Sequence, residues 1–164
     1  MDIDKLEFHF NKLHEACGGF DYGCGSYLFD GINYTYSRDL YFDRQKILYD
    51  VAKESSSTLE IGTYMGHSLL IMLLANPDIS IVGIDINDRY SVPAIKYLQK
   101  NFINSNIKFY KGNSLDVLPD LIKKNQSFDL FHIDGNHLNS FITKEFKYCI
   151  KLLNKKKQHG TSFR

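Results

Sequence analysis

A chain of 164 residues suits one domain that can bury its own core. Hydrophobic residues at 43% and charged residues at 24% argue against disorder, and the longest apolar run, residues 69–75, falls far short of the roughly 20 residues that cross a bilayer. The net charge of +1 is uneven, with −4 over residues 1–57, −1 over 58–143 and +6 over 144–164, which disfavours a nucleic-acid face anywhere but the basic end.

The N-terminus, Met1-Asp-Ile-Asp-Lys5, lacks the apolar core of a secretory signal, so a cytoplasmic protein with no membrane partner is expected. Cys17, Cys24 and Cys149 form no C-x-x-C pair, which fits reduced thiols and gives no metal-site spacing. Cys149 is expected to fill a buried helix stripe. Lysines 155–157 read as a solvated tail, because no aromatic residues interleave them. The chain divides into an irregular or helical N-terminal segment over 1–39, a domain over 40–153 and a basic tail over 154–164.

In chain order, a first helix is expected near residues 5–16. The Gly-rich stretch Cys17-Gly-Gly-Phe-Asp-Tyr-Gly-Cys-Gly-Ser26 follows no apolar strand, so it reads as a flexible loop over the core rather than a phosphate loop. Residues 39–53 show helical spacing at Leu40, Ile47, Leu48 and Val51. A regular alternation then begins. Strands are predicted at 58–62, 80–85, 107–110 and 128–133, with helices at 68–76, 92–102, 114–124 and 140–153. Pro93 is expected in the first turn of its helix and Ser114 at an N-cap. Ile142, Phe146, Cys149, Ile150 and Leu153 are expected to form the buried stripe of the last helix. Four strands alternating with helices predict a parallel sheet with right-handed crossovers.

Ligands bind such sheets beyond the carboxyl ends of the strands. Here those ends carry Glu60-Ile-Gly62, Asp85, Gly112-Asn-Ser114 and Asp134-Gly-Asn-His137, each polar or Gly-rich after an apolar run. Gly62 and Gly66 let the first turn approach a ligand closely. Asp85 stands where an acid can accept both hydrogen bonds of a ribose diol. These features predict a nucleoside ligand. Glu60 and Asp85 can also be read as helix-dipole partners. His137 reads either as a general base beside Asp134 or as a surface group, and His67 and His132 read as structural. Tyr22, Tyr27, Tyr34, Tyr36 and Tyr41 suit a lid over a flat substrate or ordinary packing.

The segment Leu59-Glu-Ile-Gly-Thr-Tyr-Met-Gly-His-Ser-Leu69 resembles motif I of class I S-adenosylmethionine-dependent methyltransferases, nearest the small-molecule O-methyltransferases of the catechol and macrocin types. Val82-Gly-Ile-Asp-Ile86, Tyr110-Lys-Gly-Asn-Ser-Leu115 and Phe128-Asp-Leu-Phe-His-Ile-Asp-Gly-Asn-His137 resemble the family's next three motifs, in its order. The resemblance implies an α/β, Rossmann-like three-layer sandwich with a mostly parallel sheet. It also implies S-adenosyl-L-methionine as cofactor. Glu60 and Gly62 would meet its amino-acid end, with Tyr64, Gly66 and Ser68 closing the loop. Asp85 would bind the ribose, Ile86 would lie against the adenine, and Asn113 and Ser114 would sit at the adenine edge. Asp134 takes the position of a metal ligand in the Mg²⁺-dependent branch. A small-molecule methyl acceptor follows.

Two departures stand out. Asn136 occupies the place of a second acid in the sugar-modifying branch, and an amide accepts no proton at neutral pH. The family's sheet has seven strands, whereas this sequence ends after four, so the C-terminal strands are expected to be missing. The fourth strand would then be a bare edge, which predicts a homo-oligomer or a partner chain. A non-catalytic cofactor-binding module stays open. So does a nicotinamide-dependent dehydrogenase, although the third glycine of the dinucleotide fingerprint is absent.

Overall fold

The computed structural model describes residues 1–39 and 41–155; Leu40 and most of the basic tail lie outside them. Ten elements follow in order: α1 (Ile3–Cys17), α2 (Phe42–Lys53), β1 (Ser57–Ile61), α3 (His67–Ala75), β2 (Ser80–Asp85), α4 (Asp88–Asn101), β3 (Asn106–Lys111), α5 (Ser114–Lys123), β4 (Leu130–Ile133) and α6 (Asn139–Leu152). The four strands form one all-parallel sheet in the order β3-β2-β1-β4. The chain therefore steps outward from β1 to β3 and returns to the far side of β1. That reversal, between β1 and β4, is where such sheets open a ligand crevice.

The two faces of the sheet feed two cores. Leu59, Ile61, Val82 and Ile84 pack against Leu118, Leu121, Cys149 and Leu152 of α5 and α6. On the opposite face, Ile81 joins Leu69–Leu73 of α3 with Leu6, Phe10 and Leu13 of α1. Burial on both faces explains the near-continuous apolar run of β2, whereas β1 buries Thr58 and Glu60 between its apolar residues. Cys149 is buried and free, and Cys17 and Cys24 are also unpaired.

Four details differ from the sequence expectation. Helix α4 starts a turn early because Asn87 caps it, its side chain accepting from Arg89 N, so Pro93 falls in the second turn. Asn113 caps α5 by accepting from Leu115 N, and Ser114 becomes the first helical residue. Strand β4 begins at Leu130, since Phe128 forms an isolated bridge to Leu153. Helix α6 buries Glu145, Cys149 and Leu152, leaving Ile142, Phe146 and Ile150 exposed. The arc facing α5 is thus displaced from the most apolar stripe. No helix among the described residues is long and apolar enough to cross a membrane.

Candidate active site

A cleft of about 740 Å³ opens at the carboxyl ends of the strands. Its floor is backbone. Gly62 has φ +89°, and a Cβ there would stand 2.3 Å from the Asp134 carbonyl oxygen. Only glycine lets β1 and β4 approach so closely. The main chain extends the ladders into the turn, with Gly62 N donating to Ile84 O at 2.8 Å and Asp134 N to Ile61 O at 2.8 Å.

Asp85 is pinned by two backbone donors. Tyr64 N donates to its Oδ2 at 2.7 Å and Asn87 N to its Oδ1 at 2.9 Å. Each oxygen keeps a lone pair for a ligand. Tyr64 takes φ +44° to make this bond, and its own hydroxyl accepts from Asp21 N at 3.0 Å. Beside Asp85, Ile86 is 72% exposed and lines the cleft.

Glu60 stands behind the wall rather than on it. It is fully buried, and its Oε1 receives the Ser68 hydroxyl and, at 3.0 Å, Nδ1 of His132. Burial raises the Glu60 pKa, with His132 and Ser68 pulling against that shift. Burial also opposes the charged form of His132, but the hydrogen bond and charge of Glu60 outweigh it, so that the imidazole pKa is raised. The other ring nitrogen, Nε2, lies 3.1 Å from the Tyr27 hydroxyl. Ser68, His132 and Tyr27 all line the cleft, so Glu60 reaches it through them.

At the β3 end, Ser114 Oγ donates to Glu145 Oε1 at 2.5 Å. Glu145 is 1% exposed and belongs to the cleft wall, yet its Oε2 has no hydrogen-bond partner. At the β4 end, Asp134 and His137 lie 4.0 Å apart and are both exposed. No group of three or more His, Cys, Asp or Glu side chains suited to a metal occurs among the described residues.

The remaining wall comes from the N-terminal segment. Residues 23–27 line the cleft, and Ser26 Oγ lies 2.7 Å from His67 Nδ1. His67 Nε2 in turn meets His14 Nε2 at 3.2 Å, inside a shell of Phe10, Phe29 and Tyr34 rings. Burial lowers the His14 pKa to about 4 and that of His67 well below its ordinary value. The Gly-rich stretch is therefore tied to α1 and α3.

Of the residues singled out from sequence, Gly62, Tyr64, Ser68, Asp85, Ile86, Asn113, Ser114, Asp134 and His137 share the cleft. Gly66 does not. It turns into α3 at φ +71°, against Leu98 and Ala94. Among the five tyrosines only Tyr27 lines the cleft. Sequence reasoning missed Ser26 and Glu145 and read His132 as structural alone. For His132 a signal existed, because it lies two residues before Asp134 along an extended run and so shares the face of that residue.

A model of the O-methyltransferase family matches residues 45–160, about two thirds of the sequence and all four strands. The chain belongs to the O-methyltransferase family. It is 38% identical over 92 residues to caffeoyl-CoA O-methyltransferase 1 of Zea mays, a stretch covering 52% of this chain and 36% of that protein. Among solved structures it resembles the O-methyltransferase TomG of Streptomyces achromogenes, in complex with SAM, with a TM-score of 0.65 and 21% identity over 92% of this chain and 61% of TomG. It also resembles an O-methyltransferase of Bacillus cereus in complex with SAH, at TM-score 0.64 and 18% identity, covering 91% and 61% of the two chains. The chain thus spans about a third of the curated relative and about three fifths of the two solved structures. The family resemblance carried by the four strand-end motifs is borne out, and so is the Rossmann-like α/β sheet.

Proposed function

We propose that this chain carries the cofactor half of an S-adenosylmethionine-dependent O-methyltransferase acting on a small molecule. The observation that carries the reading is Asp85, a carboxylate fixed by two backbone N–H groups at the rim of a polar-floored cleft. The residues fit the cofactor. Asp85 offers two acceptors to a ribose diol, the exposed Ile86 offers an apolar face to the base, and Asn113 and Ser114 stand at its edge. The Gly62 turn, Tyr64 and Ser68 border the amino-acid end. Glu60, whose buried Oε2 has no partner, acts there through Ser68 and His132. When bound, S-adenosylmethionine supplies an electrophilic methyl group.

Asp85 and the Gly62 turn orient the ligand, and the wall at residues 23–27 excludes water from it. Asp134 and His137 face the open β4 end, where His137 takes the proton of an acceptor hydroxyl with the Asp134 carboxylate 4.0 Å away. Asp134 also offers one oxygen to Mg²⁺. An octahedral site needs several more, so a single carboxylate with an amide at Asn136 does not fit a resident metal by itself. Little turnover is therefore expected from the 164-residue chain alone.

Within the described residues the sheet ends at β4, and α6 exposes Ile142, Phe146 and Ile150 at four-residue spacing. A second copy pairing through that edge would cover both. Calorimetry with S-adenosylhomocysteine tests the cofactor reading. Binding at micromolar concentration supports it, and tight NAD binding without S-adenosylhomocysteine binding overturns it. Binding with little methyl transfer is the outcome expected of this chain by itself.

A further inference from the structure

Glu145 is the least expected member of the cleft. It sits on a lysine-flanked stretch of α6, Lys144-Glu-Phe-Lys147, where a carboxylate would ordinarily face water. Instead it is 1% exposed and lines the cavity. Only one of its oxygens is answered, Oε1 by the Ser114 hydroxyl. No lysine or arginine forms an ion pair with it among the described residues. A buried carboxylate oxygen without a donor is costly, so a ligand that brings one is strongly favoured.

Position narrows that ligand. Glu145 touches Ser114, which follows Gly112 and Asn113 at the end of β3, the strand next to β2 and its Asp85. A nucleoside whose diol meets Asp85 and whose base lies on Ile86 presents the edge of that base to Ser114 and Glu145. Of the ring edges in adenine, the exocyclic amine is a pure donor. Resting on the nucleoside reading above, we infer that Glu145 is the specificity residue for the cofactor's base, its Oε2 accepting a hydrogen bond from the adenine 6-amino group while Ser114 fixes the carboxylate. The amino-acid and sulfonium parts of the ligand lie at the other end of the cleft, so Glu145 selects the base without taking part in methyl transfer.

The test is binding, not turnover. S-adenosylhomocysteine and its 6-deamino (purine) analogue differ only in that amine. Calorimetry on the wild-type chain should show the analogue at least tenfold weaker, because a site built around a hydrogen bond rejects a ligand that leaves its polar group unpaired. In Glu145→Met, which keeps length but has no oxygen, the two ligands should bind within about threefold of each other. Glu145→Gln retains an acceptor and the Ser114 contact and should keep part of the preference. Equal affinities in the wild type, a measurement that needs no variant to fold, overturn the inference, as does full discrimination in Glu145→Met. If neither ligand binds the wild type, the nucleoside reading itself has failed and the inference falls with it. If both bind equally, the reading stands and only the role of Glu145 is lost.

Discussion

Acid should loosen the N-terminal wall of the cleft before it unfolds the sheet. His14 and His67 are buried as neutral rings that share one hydrogen bond at 3.2 Å and stack at 5.1 Å. A histidine whose folded pKa is depressed binds fewer protons folded than unfolded. Its stability is intact above the ordinary 6.5 and is lost as pH falls toward the folded value, here about 4 for His14. With those two values His14 alone costs about 2 kcal/mol near pH 5 relative to pH 7. The shift at His67 has the same sign and adds to the loss. His132 and Glu60 are both raised, so their contributions weaken as pH rises and run against the trend. Comparison with His14→Phe isolates the effect, because the variant keeps a ring among Phe10, Phe29 and Tyr34 and removes the titrating group. Urea melts at a series of pH values should show the wild type losing about 2 kcal/mol more than the variant between pH 7 and 5. Parallel stability curves would refute the argument.

Asp85→Ala should weaken S-adenosylhomocysteine binding by roughly 1.5–3 kcal/mol, read by calorimetry, the scale of hydrogen bonds to a charged group; unchanged affinity would remove Asp85 from the site. Gly62→Ala should cost roughly 2–6 kcal/mol, because it adds positive-φ strain to a steric clash. The clash is 2.3 Å from Cβ to the Asp134 carbonyl oxygen, and a melting temperature equal to that of wild type would show that the β1–β4 approach is looser than described. Light scattering at micromolar concentration should find the wild type self-associated and Phe146→Lys less so, since the substitution charges the exposed apolar row of α6. A monodisperse monomer in both cases counts against edge pairing.

The alternation of strands and helices was legible because burial on both faces of a parallel sheet writes short apolar runs that end in Gly or acid. Asp85 and Gly62 stand at such endings, and both line the cleft. Other positions carried a signal that pointed elsewhere. Asn113 and Ser114 are both good caps, and sequence cannot say which of two neighbours turns the backbone. In α6 two stripes compete, Glu145-Cys149-Leu152 and Ile142-Phe146-Ile150, and the more apolar one faces out because α5 takes the other side. Glu145 was hidden for the same reason. Glu60 stands near such an ending too, but its place behind Ser68 and His132 depends on the β1–β4 register, a long-range pairing that no local pattern encodes.

The two layers that sandwich the sheet are unequal. Among the described residues, helices α1, α2, α3 and α4 cover one face and share an aromatic-rich interior, whereas α5 and α6 cover the other. Local opening takes the route that exposes least buried surface. The amides of α6 should therefore exchange with solvent ahead of those of α3, on excursions far short of global unfolding. The cleft straddles this boundary. Its Ser68–His132 lip is anchored in the thick layer and its Ser114–Glu145 lip in the thin one. A ligand that bridges the two lips would pin the thin layer to the thick one and slow exchange along α6 more than anywhere else in the chain.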